Sequence, residues 1–177
     1  MVKTILWGLF VVPWLSLIFL KGEQLRRFMP VALLATVINS IIGQMANEYD
    51  WWRFKESIFA WDKMMPLYTV YGMFLAGTIW IFVFTFGKFW VYMIVNAIID
   101  SIYGFGLARW LNALEVRETG KITPLANLSL MLFIAVLLYG YQLWQEGRIG
   151  GRKRAGSKKR GHDEKNVIFV REKMKAR

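Results

Sequence analysis

Long apolar stretches separated by short polar segments set the pattern of this chain. The first covers residues 4–20 (TILWGLFVVPWLSLIFL), and others follow at 29–46, 65–86, 89–112 and 125–144. A helix rises about 1.5 Å per residue, so each stretch matches a hydrocarbon core about 30 Å thick. Lipid offers no hydrogen bonds, so each stretch must satisfy its own backbone as a helix. The pattern predicts an all-α bundle of five transmembrane helices. Pro30, Pro66 and Pro124 stand where helices should begin, since a first turn has no use for the missing N–H. Pro13 falls mid-run and predicts a kink. Cleavage of residues 4–20 as a signal peptide fits poorly, because only Lys3 precedes them and KGEQLRR follows without a small-residue site. A four-span topology with the second stretch re-entrant is the main rival.

Between the second and third stretches, WWRFKESIFAW at 51–61 is too short and too charged to span. On a helix, Trp51, Phe54, Ile58 and Trp61 would share one face, which predicts a short interfacial helix; an aromatic-rich loop is the other possibility.

Polar residues within the apolar stretches are the informative exceptions. Asp100 lies 11 residues past Phe89, about 16 Å along a helix and near mid-bilayer. An ionised carboxylate costs about 3 kcal/mol there, so it needs a partner, water or a cation. Asn96, Asp100 and Tyr103 follow i, i+4, i+7 spacing on one face. Ala97, Ser101, Gly104 and Ala108 form a neighbouring small-residue stripe that would let another helix approach. On the second stretch, Thr36, Asn39, Ser40, Gly43, Gln44 and Asn47 share about 140° of arc. The two polar faces are expected to meet, with Asn39 near Asp100 or Asn96, and with Gly72 and Ala76 of the third stretch packing against them. The candidate intramembrane cluster is thus Asn39, Gln44, Asn96, Asp100 and Tyr103. It could serve as an ion or proton site, or as interhelical glue. No second acid or base lies at that depth to complete a proton relay.

Composition sharpens this picture. Of 177 residues, 56% are hydrophobic, more than a small soluble domain can bury. The net charge of +11 is concentrated at one end: residues 146–177 hold 12 of the 23 Lys and Arg but only 4 of the 12 acids. Residues 1–145 therefore form the transmembrane domain, and 146–177 a basic, largely disordered tail. Arg152, Lys153, Arg154, Lys158, Lys159 and Arg160 are candidates for contact with anionic lipid. Without interleaved aromatics or a folded reader they do not point to nucleic acid. If the tail is cytoplasmic and the N-terminus outside, 16 of the 23 Lys and Arg fall inside, as charge bias favours.

No cysteine is present, and the one histidine, His162, lies in the tail. Thiolate and multi-imidazole metal sites are excluded, and no cofactor is expected. Phosphate-loop, dinucleotide, zinc-protease and nucleophile-elbow motifs are absent. The chain reads as a non-enzymatic component of a membrane assembly, partnering other membrane proteins or itself. The rival is a small transporter or channel centred on Asp100.

The segments WGLFVVPWLSLIFL, RFMPVALLATV and FWVYMIVNAIID resemble a family of small, uncharacterised multi-pass membrane proteins of Gram-positive, spore-forming bacteria. The likeness covers about residues 5–112. It implies a bacterial cell membrane and assigns no activity or site residue.

Overall fold

The computed structural model describes residues 2–59, 61–62 and 64–149. Within them, five helices are long and apolar enough to cross a membrane: Val2–Phe19, Gly22–Glu48, Tyr68–Thr85, Phe89–Ala113 and Pro124–Gln145. The fold is all-α apart from one small ribbon, and the chain is a multi-pass membrane protein. In order, α1 (Val2–Ser16) tightens into a 3-10 turn at Leu17–Phe19 and leads to α2 (Gly22–Glu48) and strand β1 (Trp52–Phe54). A π-helical segment, Tyr68–Phe74, opens the third span and runs into α3 (Leu75–Thr85). The fourth span is α4 (Phe89–Ser101), a second π-helical segment (Ile102–Leu107) and α5 (Ala108–Ala113). Strand β2 (Arg117–Thr119) and α6 (Pro124–Gln145) complete it.

Pro66 and Pro124 do sit at helix starts, whereas Pro30 does not. Helix α2 begins at Gly22, so the basic run 21–28 is mostly helix rather than loop. The Gln24 side chain accepts the Lys21 N–H at 3.3 Å and caps this end. Pro30 leaves the Arg26 carbonyl without its i+4 donor. Arg26 is exposed, and the buried Phe28, Val31 and Ala32 hold the helix by packing.

Among the described residues of 51–61 there is no interfacial helix. Trp52, Arg53 and Phe54 instead pair antiparallel with Thr119, Glu118 and Arg117. The segment alternates: Trp52 is buried, Arg53 exposed and Phe54 half-buried. That two-residue period suits a strand, and a strand partner was available in the other loop on the same rim. Asp50 and Glu115, both at positive φ, start the two turns into the strands. Arg53 pairs with Asp50 at 3.1 Å, and Lys55 with Glu118 at 2.8 Å. Beneath the ribbon, Leu6, Ile58, Tyr68, Leu111 and Val116 form one core, joining the start of α1 to both linkers.

Helix α1 packs along the π-helical start of the third span. Pro13 has no N–H, so the Leu9 carbonyl lacks its helical donor. Gly72 lies against that carbonyl: a Cβ there would fall 2.9 Å from Leu9 O and 3.0 Å from Phe10 Cα. Gly72 therefore serves the first span, not the second and fourth as its spacing with Ala76 led one to expect. The π-segment exposes a carbonyl in its turn. Leu75 N–H reaches Val70 and Gly72 and skips Tyr71, whose carbonyl accepts from the Trp14 indole at 2.9 Å. A second indole, Trp80, donates to Ser16 Oγ at 2.9 Å, and Ser16 donates to Pro13 O at 2.6 Å.

At the opposite rim Gly87, at φ +96°, turns the third span into the fourth in a conformation that favours glycine. Next to it, Phe28, Phe82, Tyr92, Phe89 and Tyr139 form a chain of ring contacts 5.0–5.8 Å apart across four spans. Tyr92 also donates to Ala135 O at 3.0 Å. The chain divides into compact units Met1–Gln142 and Leu143–Arg177. In the described part of the second, Gly147 N–H closes a turn on Trp144 O at 2.9 Å. The tail residues Arg152, Lys153, Arg154, Lys158, Lys159 and Arg160 lie outside the described residues.

Candidate functional site

Helix α3 packs against both α2 and α4, so the two polar faces are joined by a cavity rather than by direct docking. Its volume is about 120 Å³, enough for several waters or a small solute. Asn39, Asn96, Asp100 and Tyr103 contribute its polar wall, and Met73, Ile81, Met131 and Leu138 much of the apolar one. Four of the five residues singled out from the sequence thus share one cavity.

Gln44 does not join them; it is exposed on α2. The buried face of α2 runs through Phe28, Ala32, Ala35, Asn39, Gly43 and Ala46, centred near Asn39. Gln44 lies five residues on, about 140° round the helix. Thr36 and Ser40 turn their hydroxyls back onto the Ala32 and Thr36 carbonyls, both at 2.9 Å, and so satisfy themselves locally.

Asn96 donates to the carbonyl of Tyr92 at 2.8 Å, one turn back along α4. That bond fixes its amide and leaves its oxygen available to the cavity. Asp100 is half-buried, and its carboxylate makes no hydrogen bond or ion pair with any other described residue. The expected Asp–Asn glue between α2 and α4 is therefore not formed. Phe74 and Tyr103 meet edge to face at 5.9 Å, bringing the two π-helical segments together at the cavity wall. A π-turn widens a helix by one residue, and such irregular backbone survives in lipid only where protein or a cavity covers it. Along the small-residue stripe Ala108 is buried, Ala97, Ser101 and Gly104 are half-buried, and Ala76 on α3 is buried.

Matches to known proteins add nothing to this geometry. No family model, curated protein or solved structure matches the chain. The site rests on its own residues.

Those residues extend further toward the ribbon than the sequence indicated. Asp100 also lines a second cavity of about 240 Å³, whose walls include Arg109, Asn112, Arg117 and Asn127. A pocket of about 20 Å³, room for roughly one water, lies among Asn39, Tyr103, Arg117 and Asn127. Arg117 is the residue that sequence analysis missed. Flanked by Glu115 and Glu118, it looks like one charge of a solvated loop, yet it is only 7% exposed. Its guanidinium stands 5.6 Å from the Trp52 ring centroid. No signal in the sequence marked it: Val116 and Arg117 are both buried and Glu118 and Thr119 exposed, so the segment shows no two-residue period.

Proposed function

We propose that this protein admits a small hydrophilic solute or cation to a site within the membrane, with Asp100 as its anionic centre. One observation carries this reading: the Asp100 carboxylate, halfway along its span, faces cavities on two sides and is bound to no described residue. A carboxylate kept at that depth without a protein partner is costly, and a solute that binds it recovers the cost. Asn39, Asn96 and Tyr103 provide neutral polar groups beside it. The aromatic chain from Phe28 to Tyr139 fills the Gly87 rim, which favours access from the ribbon rim.

The charge distribution supports placing the ribbon rim and N-terminus outside and the C-terminal tail in the cytoplasm of a bacterial cell. The tail then meets the anionic inner leaflet through Arg152 to Arg160. The exposed Trp61 and Trp110 at one rim, and Trp90 at the other, suit the two interfaces.

Flux assays in proteoliposomes test the main claim. Solute or cation uptake should be present with the wild-type chain and abolished by Asp100→Asn. Equal flux in both would refute it.

A second reading, assembly with another membrane protein or a second copy, is favoured by Gly104. Gly104 borders the Asp100 cavity and a Cβ there would meet nothing within 4 Å, and Ala97 and Ser101 beside it stay half-exposed, which leaves this small-residue face room for another helix. Sedimentation in mild detergent showing a monomer with no co-purifying partner would count against it.

A further inference from the structure

Asp100 and Arg117 carry opposite charges, stand on different elements and line the same 240 Å³ cavity. Neither takes part in an ion pair among the described residues. Arg117 is more than nine-tenths buried, and its Nε donor has no hydrogen-bond partner. The Trp52 ring beneath it orients the guanidinium but accepts none of its in-plane N–H groups. A buried Arg and a half-buried carboxylate are each expensive unpaired, and pairing them with each other would have offset part of the cost. The fold keeps them apart instead. The ribbon register holds Arg117 opposite Phe54, and the fourth span holds Asp100 below. The same cavity is lined by the apolar side chains of Ala108, Ile122 and Leu128, by the amides of Asn112 and Asn127, and by Arg109.

We propose that this cavity binds a small zwitterion with an aliphatic body, of the amino-acid class. Its carboxylate lies on the Arg117 fork, which matches two carboxylate oxygens at once. Its ammonium group donates to Asp100, and its aliphatic part rests on Ile122 and Leu128. Such a solute neutralises the Asp100 and Arg117 charges and brings no net charge into the site, whose third charged side chain, Arg109, is exposed to solvent. A simple anion would meet the Asp100 charge, and a simple cation would leave Arg117 unpaired. This inference rests on the solute site proposed at Asp100 and specifies what that site takes.

Calorimetric titration of the full chain in nanodiscs tests it with three probes: L-valine, valine methyl ester, which is only cationic, and N-acetylvaline, which is only anionic. Valine should bind best, with each derivative weaker by about ten- to a hundredfold. Arg117→Gln should weaken valine by a similar factor and leave the ester unchanged, and Arg117→Lys should restore part of the loss. If Arg117→Gln does not fold, the three-probe ranking on the wild-type chain decides alone. Ester binding as tight as valine would overturn the zwitterion and leave the cation site at Asp100 standing. So would binding of no probe alongside Asp100-dependent cation flux. N-acetylvaline binding best, unchanged by Asp100→Asn, would overturn both the zwitterion and the site.

Discussion

Replacing Gly72 by alanine tests how the first span is attached. The new Cβ would sit 2.9 Å from Leu9 O and 3.0 Å from Phe10 Cα. Both are backbone atoms, and neither can rotate away. Ordinary carbon–oxygen contacts begin near 3.3 Å, so α1 must retreat by about half an ångström. Overpacking of this kind costs about 1–3 kcal/mol. The retreat also strains the Trp14–Tyr71 and Trp80–Ser16 hydrogen bonds, each 2.9 Å long and each contributing about 1 kcal/mol. Alanine returns about 0.5–1 kcal/mol over glycine in a helix interior. The expected net effect is a loss of about 1–3 kcal/mol. Gly8→Ala on α1 is the control, because a Cβ there meets nothing within 4 Å. Only the gain of about 0.5–1 kcal/mol remains for it. Reversible unfolding in detergent, followed by circular dichroism and tryptophan fluorescence, should therefore move the two variants in opposite directions. Gly72→Ala proving as stable as wild type, or stabilised alongside Gly8→Ala, would refute the close helix contact.

Trp14→Phe should cost about 1 kcal/mol in the same assay, because the Tyr71 carbonyl left by the π-turn loses its indole donor; no change would mean that carbonyl is satisfied elsewhere. Asp100→Asn should retain helical content and monodispersity, since an amide is tolerated at that depth; aggregation would show the carboxylate to be structural. Burial holds the Asp62 carboxyl above its usual range, against the opposing pull of the Leu67 N–H. A raised folded value means the folded state binds the proton more tightly. Asp62's contribution is thus complete below the unfolded pKa and lost as pH rises through the folded one. Asp62→Asn keeps an oxygen for Leu67 and removes that loss. Wild-type stability relative to the variant should accordingly fall as pH rises above the ordinary carboxylate value of about 4, and equal unfolding midpoints at every pH would contradict it.

The spans were legible because hydrocarbon demands unbroken apolar helix, and Pro66 and Pro124 marked two of the starts. Pro30 misled because helix α2 is held by its buried face, which can carry a proline eight residues past its start. Asn39, Asn96, Asp100 and Tyr103 were legible from the cost of polarity at depth together with helical spacing. Gln44 was grouped with them because polarity alone set the arc, whereas close packing by Ala32, Ala35 and Ala46 decided which way α2 faced. The π-helical segments were not legible. Their contacts, the Trp14 indole on Tyr71 and the Phe74–Tyr103 ring pair between the two segments, join residues remote in sequence. The ribbon failed for a related reason: three residues are too few to reveal a period until their partner strand is known. Arg117 followed the ribbon into obscurity.

The strand pair has a mechanical consequence. It fastens the linker 49–67 to the linker 114–123, with the Lys55–Glu118 pair as an additional tie. The second and third spans are thereby coupled to the fourth and fifth at one rim. Because the Gly87 turn already joins the third span to the fourth at the opposite rim, these two spans are held at both ends, at one by the chain itself and at the other by strand pairing.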